Sequence, residues 1–190
     1  YKTGQFKEAI EFYASAIKAH TNAYIIATSL YWQAQAYFEL KEYALALETF
    51  LEAKAQPKFA SLDGAELFDY HVGYAYFNLK NYPQALTSFE RFLSTAQSVN
   101  YERDTRLRMG DSHFVLKAYW PAMDQYEKAT VLQPQKGTYA MFQQAISYGF
   151  VNRTQQKIAL LQDIINQFPN SNLVDIGRMR GIGIGKKHYH

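Results

Sequence analysis

Residues with aromatic rings and small residues recur along the chain at intervals typical of an α-helix. In the clearest case Tyr82 precedes the small residue Ala85 by three positions, and further rings follow at Phe89 and Phe92. Intervals of three, four and seven residues bring side chains onto one face of an α-helix. The same motif returns around anchor positions 9, 46 and 122, and in a degenerate form, with Leu161 and Ile164 in place of rings, around Lys157. The five anchors, at 9, 46, 85, 122 and 157, are 37, 39, 37 and 35 residues apart. This repetition predicts an array of similar helical units.

A second motif lies upstream of each anchor from the second onward, so each unit contains two helices. A small residue stands twelve positions before the anchor, as Gly110 does before Ala122, and a ring follows three positions later. All five prolines fall near the ends of the expected helices, and no segment shows the alternation of a strand. We therefore predict helices over 5–19, 24–40, 43–55, 63–80, 83–97, 101–116, 119–132, 138–151 and 154–168.

These motifs resemble those of the tetratricopeptide repeat family, whose unit is a helix–turn–helix of about 34 residues. The best match is the fourth unit, 103–134, which has the family's small residues, rings and proline at Gly110, His113, Ala122, Tyr126, Ala129 and Pro134. The resemblance implies an all-α, right-handed superhelical solenoid of helix–turn–helix repeats. Residues 1–176 would form about five units, truncated at both ends. Residues 177–190 would be a Gly-rich basic tail, flexible or not native to the protein.

In this family the first helices of the units line a concave groove that holds the partner. The resemblance places partner-binding side chains at Tyr31, Gln35, Phe38, Tyr70, Tyr74, Phe77, Asn78, Asp104, Asp111, Phe114 and Phe142. Rings supply large contact areas at low entropic cost, although they serve equally well in packing between helices. Asp104 and Asp111 are seven residues apart on one predicted helix face, so we expect an acidic groove that attracts a basic partner.

The groove lacks most of the carboxylate clamp with which other members of the family hold the C-termini of chaperones. Where the clamp needs Lys, Asn, Asn and Lys, the chain has Tyr31, Gln35, His71 and Asp104, and only Arg108 matches. A cytosolic chaperone adaptor is therefore disfavoured.

Composition and charge narrow the function further. The 190 residues include no cysteine, which excludes disulfides, cysteine nucleophiles and cysteine-ligated metal sites. The net charge is +3, but four basic residues and no acid lie in 178–190, so the rest of the chain has a net charge of −1. We therefore expect no nucleic-acid partner, and we interpret Arg103, Arg106 and Arg108 as a solvated face paired with nearby acids. No apolar run approaches the roughly 20 residues of a membrane span.

No constellation of residues predicts catalysis, a metal site or a cofactor. The glycine-rich stretch 181–187 fails as a phosphate loop, because Arg180 and Lys187 stand where such a loop needs a glycine and a Ser or Thr. His71 and His113 have no partners at zinc-ligand spacing, and a terminal pair such as His188 and His190 is usually incidental. We expect the array itself to bind no cofactor and to have no enzymatic activity.

The sequence therefore predicts a non-catalytic protein–protein interaction module or scaffold that binds a peptide or a partner subunit in the groove. Two alternatives stay open: a docking arm of a larger enzyme or regulator, and a purely structural repeat segment. Phe6, Ile10 and Tyr13 lack a predicted covering helix, which also predicts self-association through uncapped ends. The junction 168–171, Phe-Pro-Asn-Ser, resembles junctions in bacterial cell-envelope members, so a periplasmic or envelope location is expected rather than the cytoplasm.

Overall fold

The computed structural model describes residues 2–173, and all regular secondary structure within them is helical. The α-helices are α1 (Lys2–Ala19), α2 (Ala23–Glu39), α3 (Tyr43–Lys54), α4 (Phe68–Asn78), α5 (Tyr82–Leu93), α6 (Val99–Val115), α7 (Tyr119–Leu132), α8 (Thr138–Phe150) and α9 (Thr154–Gln167). Short 3₁₀ turns occur at Phe59–Ser61, Ala65–Leu67 and Pro134–Lys136. None of the helices in residues 2–173 is long and apolar enough to cross a membrane. The predicted tail, 177–190, with its glycine-rich stretch and two histidines, lies outside the described residues.

The predicted helices agree with the observed ones to within four residues at each end, apart from the fourth. The prediction of a helix from residue 63 is wrong, because α4 begins only at Phe68. Gly64 has a φ of 88°, in the left-handed region, and a 3₁₀ turn follows it. The carbonyl of Gly64 accepts a 2.7 Å hydrogen bond from the Tyr31 hydroxyl, which fixes this connection against α2.

The chain divides into two compact units, Tyr1–Ala96 and Gln97–His190. In the first unit each helix packs on the next along the chain, from α1 on α2 to α4 on α5. Ala34 and Ala46 let α2 and α3 approach, while Tyr31 and Phe50 fill the space beside them. The two rings meet edge to face, with centroids 5.6 Å apart. The predicted small and aromatic positions therefore form the core of this unit.

The second unit follows the same scheme. Helix α6 packs on α7, α7 on α8, and α8 on α9. Leu107, Ala122 and Tyr126 are buried between α6 and α7, and Leu161 and Ile164 of α9 are buried against α8. The hairpin of α6 and α7 thus buries the same classes of residue as the first unit, whereas in α9 the aliphatic Leu161 takes the place of a ring.

One type of turn joins the two helices of every hairpin. Lys41, Lys80, Lys117 and Asn152 have φ angles of 63°, 61°, 60° and 59°, and each stands five residues before an anchor. The next residue donates its backbone N–H to the carbonyl five residues back, as in Asn81 to Tyr76, 2.9 Å. The hairpins α2–α3, α4–α5, α6–α7 and α8–α9 are therefore closed in the same way.

Glycine allows the closest approach within two of these hairpins. A Cβ atom on Gly110 would lie 2.5 Å from the Tyr126 ring, and one on Gly73 would lie 2.5 Å from the Phe89 ring. The Tyr126 ring is held in place because its hydroxyl donates to Asp111 Oδ1 over 2.9 Å. The motif of a small residue twelve positions before the anchor is thus a packing requirement.

We expect Gly110→Ala to lower the free energy of unfolding by about 1–3 kcal/mol, because the added methyl overpacks the contact with Tyr126. Gly149→Ala is the matched control, since its Cβ would meet only the flexible Lys157 side chain, at 3.3 Å. Alanine is the better helix former, so the control should be neutral or slightly stabilised. Urea unfolding followed by far-ultraviolet circular dichroism measures both. Equal losses in the two variants would contradict the close-approach explanation.

Candidate functional site

Six of the predicted groove residues share one face of α2 and α4 in the first unit. We call this face the aromatic surface, and its members are Gln35, Phe38, Tyr70, Tyr74, Phe77 and Asn78. The centroids of the Tyr70 and Tyr74 rings are 4.9 Å apart, and that of Phe38 is 6.4 Å from Tyr74. The Asn78 amide donates to the Tyr74 carbonyl over 2.8 Å. The rings are half-buried and Asn78 is exposed, so part of each side chain is accessible to solvent.

Buried rings of α5 support the aromatic surface from beneath. Tyr70 packs against Phe92 with a centroid distance of 5.4 Å, and Tyr74 packs against Phe89 at 5.6 Å. Phe92 and Phe89 are both buried. Tyr70 and Tyr74 are therefore held before any partner arrives, which reduces the entropy lost when they are covered.

The buried His71 contacts Gln35, a member of the aromatic surface. Gln35 Nε2 is 3.1 Å from His71 Nε2, and the His71 ring stacks on Phe50 with centroids 5.7 Å apart. Within residues 2–173, His71 Nδ1 and Gln35 Oε1 have no hydrogen-bond partner. Burial lowers the pKa of His71 from 6.5 to about 4, so the imidazole is neutral at physiological pH.

Tyr31 is not part of this surface, and its predicted role as a groove residue is wrong. Its side chain is 1% exposed and lies in the core, with Phe50 and Phe59 as neighbouring rings. The long connection between α3 and α4 is the physical reason. It brings Phe59 and Leu62 into the core cluster around Tyr31, while the carbonyl of Gly64 takes the tyrosine hydroxyl.

In the second unit, Asp111 is the centre of a hydrogen-bonded cluster. Its Oδ1 accepts from the hydroxyls of Tyr126 and Tyr139 at 2.9 and 2.7 Å, and its Oδ2 pairs with Arg108 at 2.6 Å. We call these four residues the Asp111 cluster. The prediction that Asp111 lends the groove acidic character is wrong, because Arg108 compensates the charge and the hydroxyls occupy the acceptor oxygen.

The two tyrosines of the Asp111 cluster stay protonated. Burial, together with the negative charge of Asp111, raises the pKa of Tyr139 to about 12 and also raises that of Tyr126. Both hydroxyls therefore remain donors throughout the physiological range. The cluster ties α7 and α8 to α6 through a single carboxylate.

The remaining predicted residues of the second unit have different environments. Phe142 is buried in the core between α8 and α9, so its predicted role as a contact residue is wrong. Phe114 is half-buried and packs on Tyr119 and on Phe150, with centroids 5.5 and 5.6 Å apart. Phe150 is itself 57% exposed. Asp104 is half-buried on α6.

The sequence reasoning missed Trp32, which is 42% exposed on α2. Together with Phe6, Ala9 and Tyr13 of α1, it lines a cleft of about 310 Å³ between the two helices. Trp32 belongs to neither repeat motif, so only its size and its place beside Tyr31 could have drawn attention to it.

Comparison with known proteins bears on the fold. Three solved structures that resemble the chain are YrrB, described as a TPR protein with an unusual peptide-binding site, MamA, and pilF of Pseudomonas aeruginosa. For YrrB the TM-score is 0.75 at 18% identity, covering 93% of this chain and 84% of that chain. For MamA the TM-score is 0.70 at 19% identity, covering 86% of this chain and 89% of that chain. For pilF the TM-score is 0.59 at 18% identity, covering 89% of this chain and 72% of that chain. At such identities the likeness concerns the fold, and it confirms the predicted all-α helical repeat. No curated protein matches the sequence.

Two family models, both described as tetratricopeptide repeat, match the sequence itself. One covers residues 1–60, and the other covers 69–96 and 139–171. The matched segments contain the anchors at 9, 46, 85 and 157, and the rings that flank the first three of them. Together with the recurring hairpin turn, these matches confirm the resemblance that the spacing of rings and small residues indicated: the chain belongs to the tetratricopeptide repeat family.

Proposed function

We propose that the chain is a non-catalytic protein–protein interaction module whose aromatic surface binds an extended peptide segment of a partner protein. One observation carries the proposal. Tyr70 and Tyr74 stand 4.9 Å apart, half-exposed, on a support of buried rings. Preformed rings of this kind are typical of binding hot spots, in which a few aromatic side chains contribute most of the affinity.

The polar groups of the surface determine the class of ligand. Tyrosine offers an apolar face and a hydroxyl, and the exposed Asn78 and the half-buried Gln35 add amide groups. Such a combination suits a segment that presents apolar side chains and backbone amides together. YrrB, a protein of the same fold, has a peptide-binding site, which supports the choice of a peptide as ligand.

The groups with strongly shifted pKa values also favour binding over catalysis. His71, Tyr126 and Tyr139 owe their shifts first to burial. His71 stacks on Phe50, and both tyrosines donate to Asp111, so all three are engaged in packing or structural hydrogen bonds. A docking arm of a larger enzyme uses the same surface, whereas a purely structural segment leaves it empty.

Peptides selected from a random library on the native chain provide the test. We expect Tyr70→Ala/Tyr74→Ala to weaken their binding by about 30-fold or more, equivalent to about 2 kcal/mol, because a hot-spot pair is lost. Fluorescence anisotropy with labelled peptides measures the dissociation constants. Tyr70→Phe/Tyr74→Phe retains the packing on α5, and this variant should lose much less affinity.

Phe150→Ala serves as the control for general stickiness, since it removes an exposed ring from the second unit. It should leave the affinity unchanged. Each variant must first show the helical spectrum of the native chain. Peptides that bind the double alanine variant as tightly as the native chain would refute the proposed site. A library that yields no binder would favour the purely structural alternative.

A further inference from the structure

In the second unit, two hairpin turns lie side by side and expose apolar side chains. The turn between α6 and α7 has Val115, Leu116 and Trp120, which are 52%, 45% and 56% exposed. The turn between α8 and α9 follows Phe150, which is 57% exposed. The Phe150 ring stacks on that of Tyr119 with centroids 4.7 Å apart, and this contact joins the two turns. We call Val115, Leu116, Trp120 and Phe150 the apolar tip.

The repeat does not require apolar residues at two of these positions. Val115 and Phe150 stand seven residues before their anchors, at the position that Glu39 and Asn78 occupy in the first unit. Both of these polar residues are exposed. The hairpin thus accepts a polar side chain at this position, so its packing does not by itself account for two exposed apolar ones.

Trp120 departs from the repeat in the same way. It stands two residues before its anchor, where other repeats have Ala44, Pro83 and Gln155. An indole has a large apolar surface and one N–H donor, which suits a boundary between water and an apolar medium. Neighbouring apolar side chains that are left exposed mark sites of contact with a protein or a membrane. We therefore interpret the apolar tip as an interaction surface.

The charged residues around the apolar tip are all basic. Lys117 lies in one turn and Arg153 in the other, and both are exposed. No acidic residue occurs in 112–123 or in 128–162, the stretches that contain the two turns. Apolar side chains flanked by Lys and Arg complement an anionic lipid surface, because the apolar groups enter the headgroup region while the cations pair with phosphates.

The position of the apolar tip favours a lipid surface over an acidic protein. The helix α6 ends at Val115, α7 begins at Tyr119, α8 ends at Phe150 and α9 begins at Thr154. The tip is therefore made by the ends of two hairpins and not by the wall of a groove, whereas peptide segments are commonly bound in grooves. A bilayer surface can receive such an end without a matching shape.

We propose that the apolar tip inserts into the surface of an anionic lipid bilayer and holds the chain there as a peripheral protein. Val115, Leu116, Trp120 and Phe150 supply the apolar contact, and Lys117 and Arg153 supply the attraction to the headgroups. The proposal involves neither Tyr70 nor Tyr74, so it does not depend on the peptide-binding function proposed above.

Flotation with lipid vesicles tests the role of charge. The native chain should bind vesicles of phosphatidylcholine with about one-third phosphatidylglycerol at least about fivefold more tightly than vesicles of phosphatidylcholine alone. Lys117→Asn should weaken binding to the anionic vesicles by about fivefold, the contribution expected of one basic residue. Asparagine fits this turn, because Asn152 has a φ of 59° in the other turn and Lys117 one of 60°. Lys128→Gln removes the same charge elsewhere on α7 and should have little effect.

A second pair of variants tests the apolar contact. Val115→Asn/Trp120→Gln introduces the residue types that other repeats have at these positions, so the fold should be retained, as the helical spectrum can verify. We expect it to weaken vesicle binding by about tenfold or more, since insertion scales with the apolar area that is buried. Val131→Ser is the control, because Val131 is 73% exposed near the other end of α7. It should leave binding unchanged.

Fluorescence provides a measurement that does not rely on a disrupted tip. The chain has two tryptophans, so Trp32→Phe leaves Trp120 as the only indole. Its emission should shift to shorter wavelength when anionic vesicles are added. An unshifted emission, equal binding to both kinds of vesicle, or no flotation at all would overturn the proposal. A loss in Val131→Ser equal to that in Val115→Asn/Trp120→Gln would do the same. A chain that ignores the vesicles but binds immobilised polyglutamate would show that the ligand is an acidic protein and not a lipid surface.

Discussion

Replacement of Asp111 by alanine should lower the free energy of unfolding by about 2–4 kcal/mol, less than for a fully buried ion pair because the Arg108 side chain is 26% exposed. The carboxylate accepts hydrogen bonds from Tyr126 and Tyr139 and pairs with Arg108 at 2.6 Å. Its side chain is only 12% exposed. Without it, the buried Tyr126 hydroxyl, the half-buried Tyr139 hydroxyl and the Arg108 guanidinium lose this acceptor at once, and water has little access to the Tyr126 hydroxyl to replace it.

Two further substitutions separate the contribution of the tyrosine hydrogen bonds from that of the ion pairs. Asp111→Asn keeps an acceptor oxygen for the tyrosines but replaces the charged acceptor beside Arg108 by an NH₂ group, so we expect a smaller loss of about 1–2 kcal/mol. Asp124→Ala removes a carboxylate whose partner Lys128 is 2.7 Å away in an exposed pair, and it should cost less than about 1 kcal/mol. Urea unfolding compares the three.

The outcome also decides between two functions for Asp111. If the carboxylate recruits a basic partner, the alanine variant should keep its stability and lose affinity. If it holds α6, α7 and α8 together, stability falls first. A variant with an unchanged unfolding midpoint would contradict the structural assignment.

The repeat motifs predict the helices well because each motif position has one physical task. Ala46, Ala85 and Ala122 are wholly buried where two helices meet, and Gly110 leaves no room for a methyl group. Such positions tolerate few residue types, so the spacing is visible in a single sequence. The same constraint explains why the turns between the helices of each hairpin fall at the predicted places.

The contacts of individual groove positions were less predictable. The family pattern assigns Tyr31 and Tyr70 to equivalent positions, yet Tyr31 is buried and Tyr70 is half-buried. The difference comes from the connection between α3 and α4, where Phe59 and Leu62 join the core around Tyr31. Its conformation depends on the positive φ of Gly64, a local feature that the repeat spacing does not encode.

Asp111 shows a second limit of prediction from the sequence. An aspartate on a predicted helix face is interpreted as an exposed charge until its neighbours in space are known. Arg108 lies on the same helix and could be anticipated at three residues' distance. Tyr126 and Tyr139 are 15 and 28 residues away in sequence, so their convergence on one carboxylate appears only in the folded hairpins.

Acidification should destabilise the first unit through His71, by about 3 kcal/mol between neutral pH and about pH 4. Burial lowers the pKa of His71 in the folded chain from 6.5 to about 4. Between these values the unfolded chain binds a proton at this residue that the folded chain does not. The contribution of the neutral imidazole is therefore complete above about pH 6.5 and is lost as the pH falls towards 4.

His71→Gln isolates this contribution, because glutamine keeps a polar group near Gln35 and does not titrate in this range. The native chain should lose more stability than the variant between neutral and acidic pH, and urea unfolding at a series of pH values measures the difference. Replacement of the exposed His20 by glutamine controls for the loss of a histidine as such. Parallel curves for the native chain and His71→Gln would show that His71 is not the group responsible.

The same substitution connects stability with the proposed binding surface. His71 packs edge to face against both Phe38 and Tyr70, with centroids 5.7 and 5.4 Å apart. Gln35 Nε2 can only donate, so His71 Nε2 accepts and Nδ1 carries the proton of the neutral ring. A second proton would go onto Nε2, break this hydrogen bond and place a charge among these rings. Peptide affinity should therefore fall with acidification in the native chain and fall less in His71→Gln. If both lose affinity equally, the acid sensitivity lies in the peptide or elsewhere on the aromatic surface. Protonation of His71 then does not control the position of the Phe38 and Tyr70 rings.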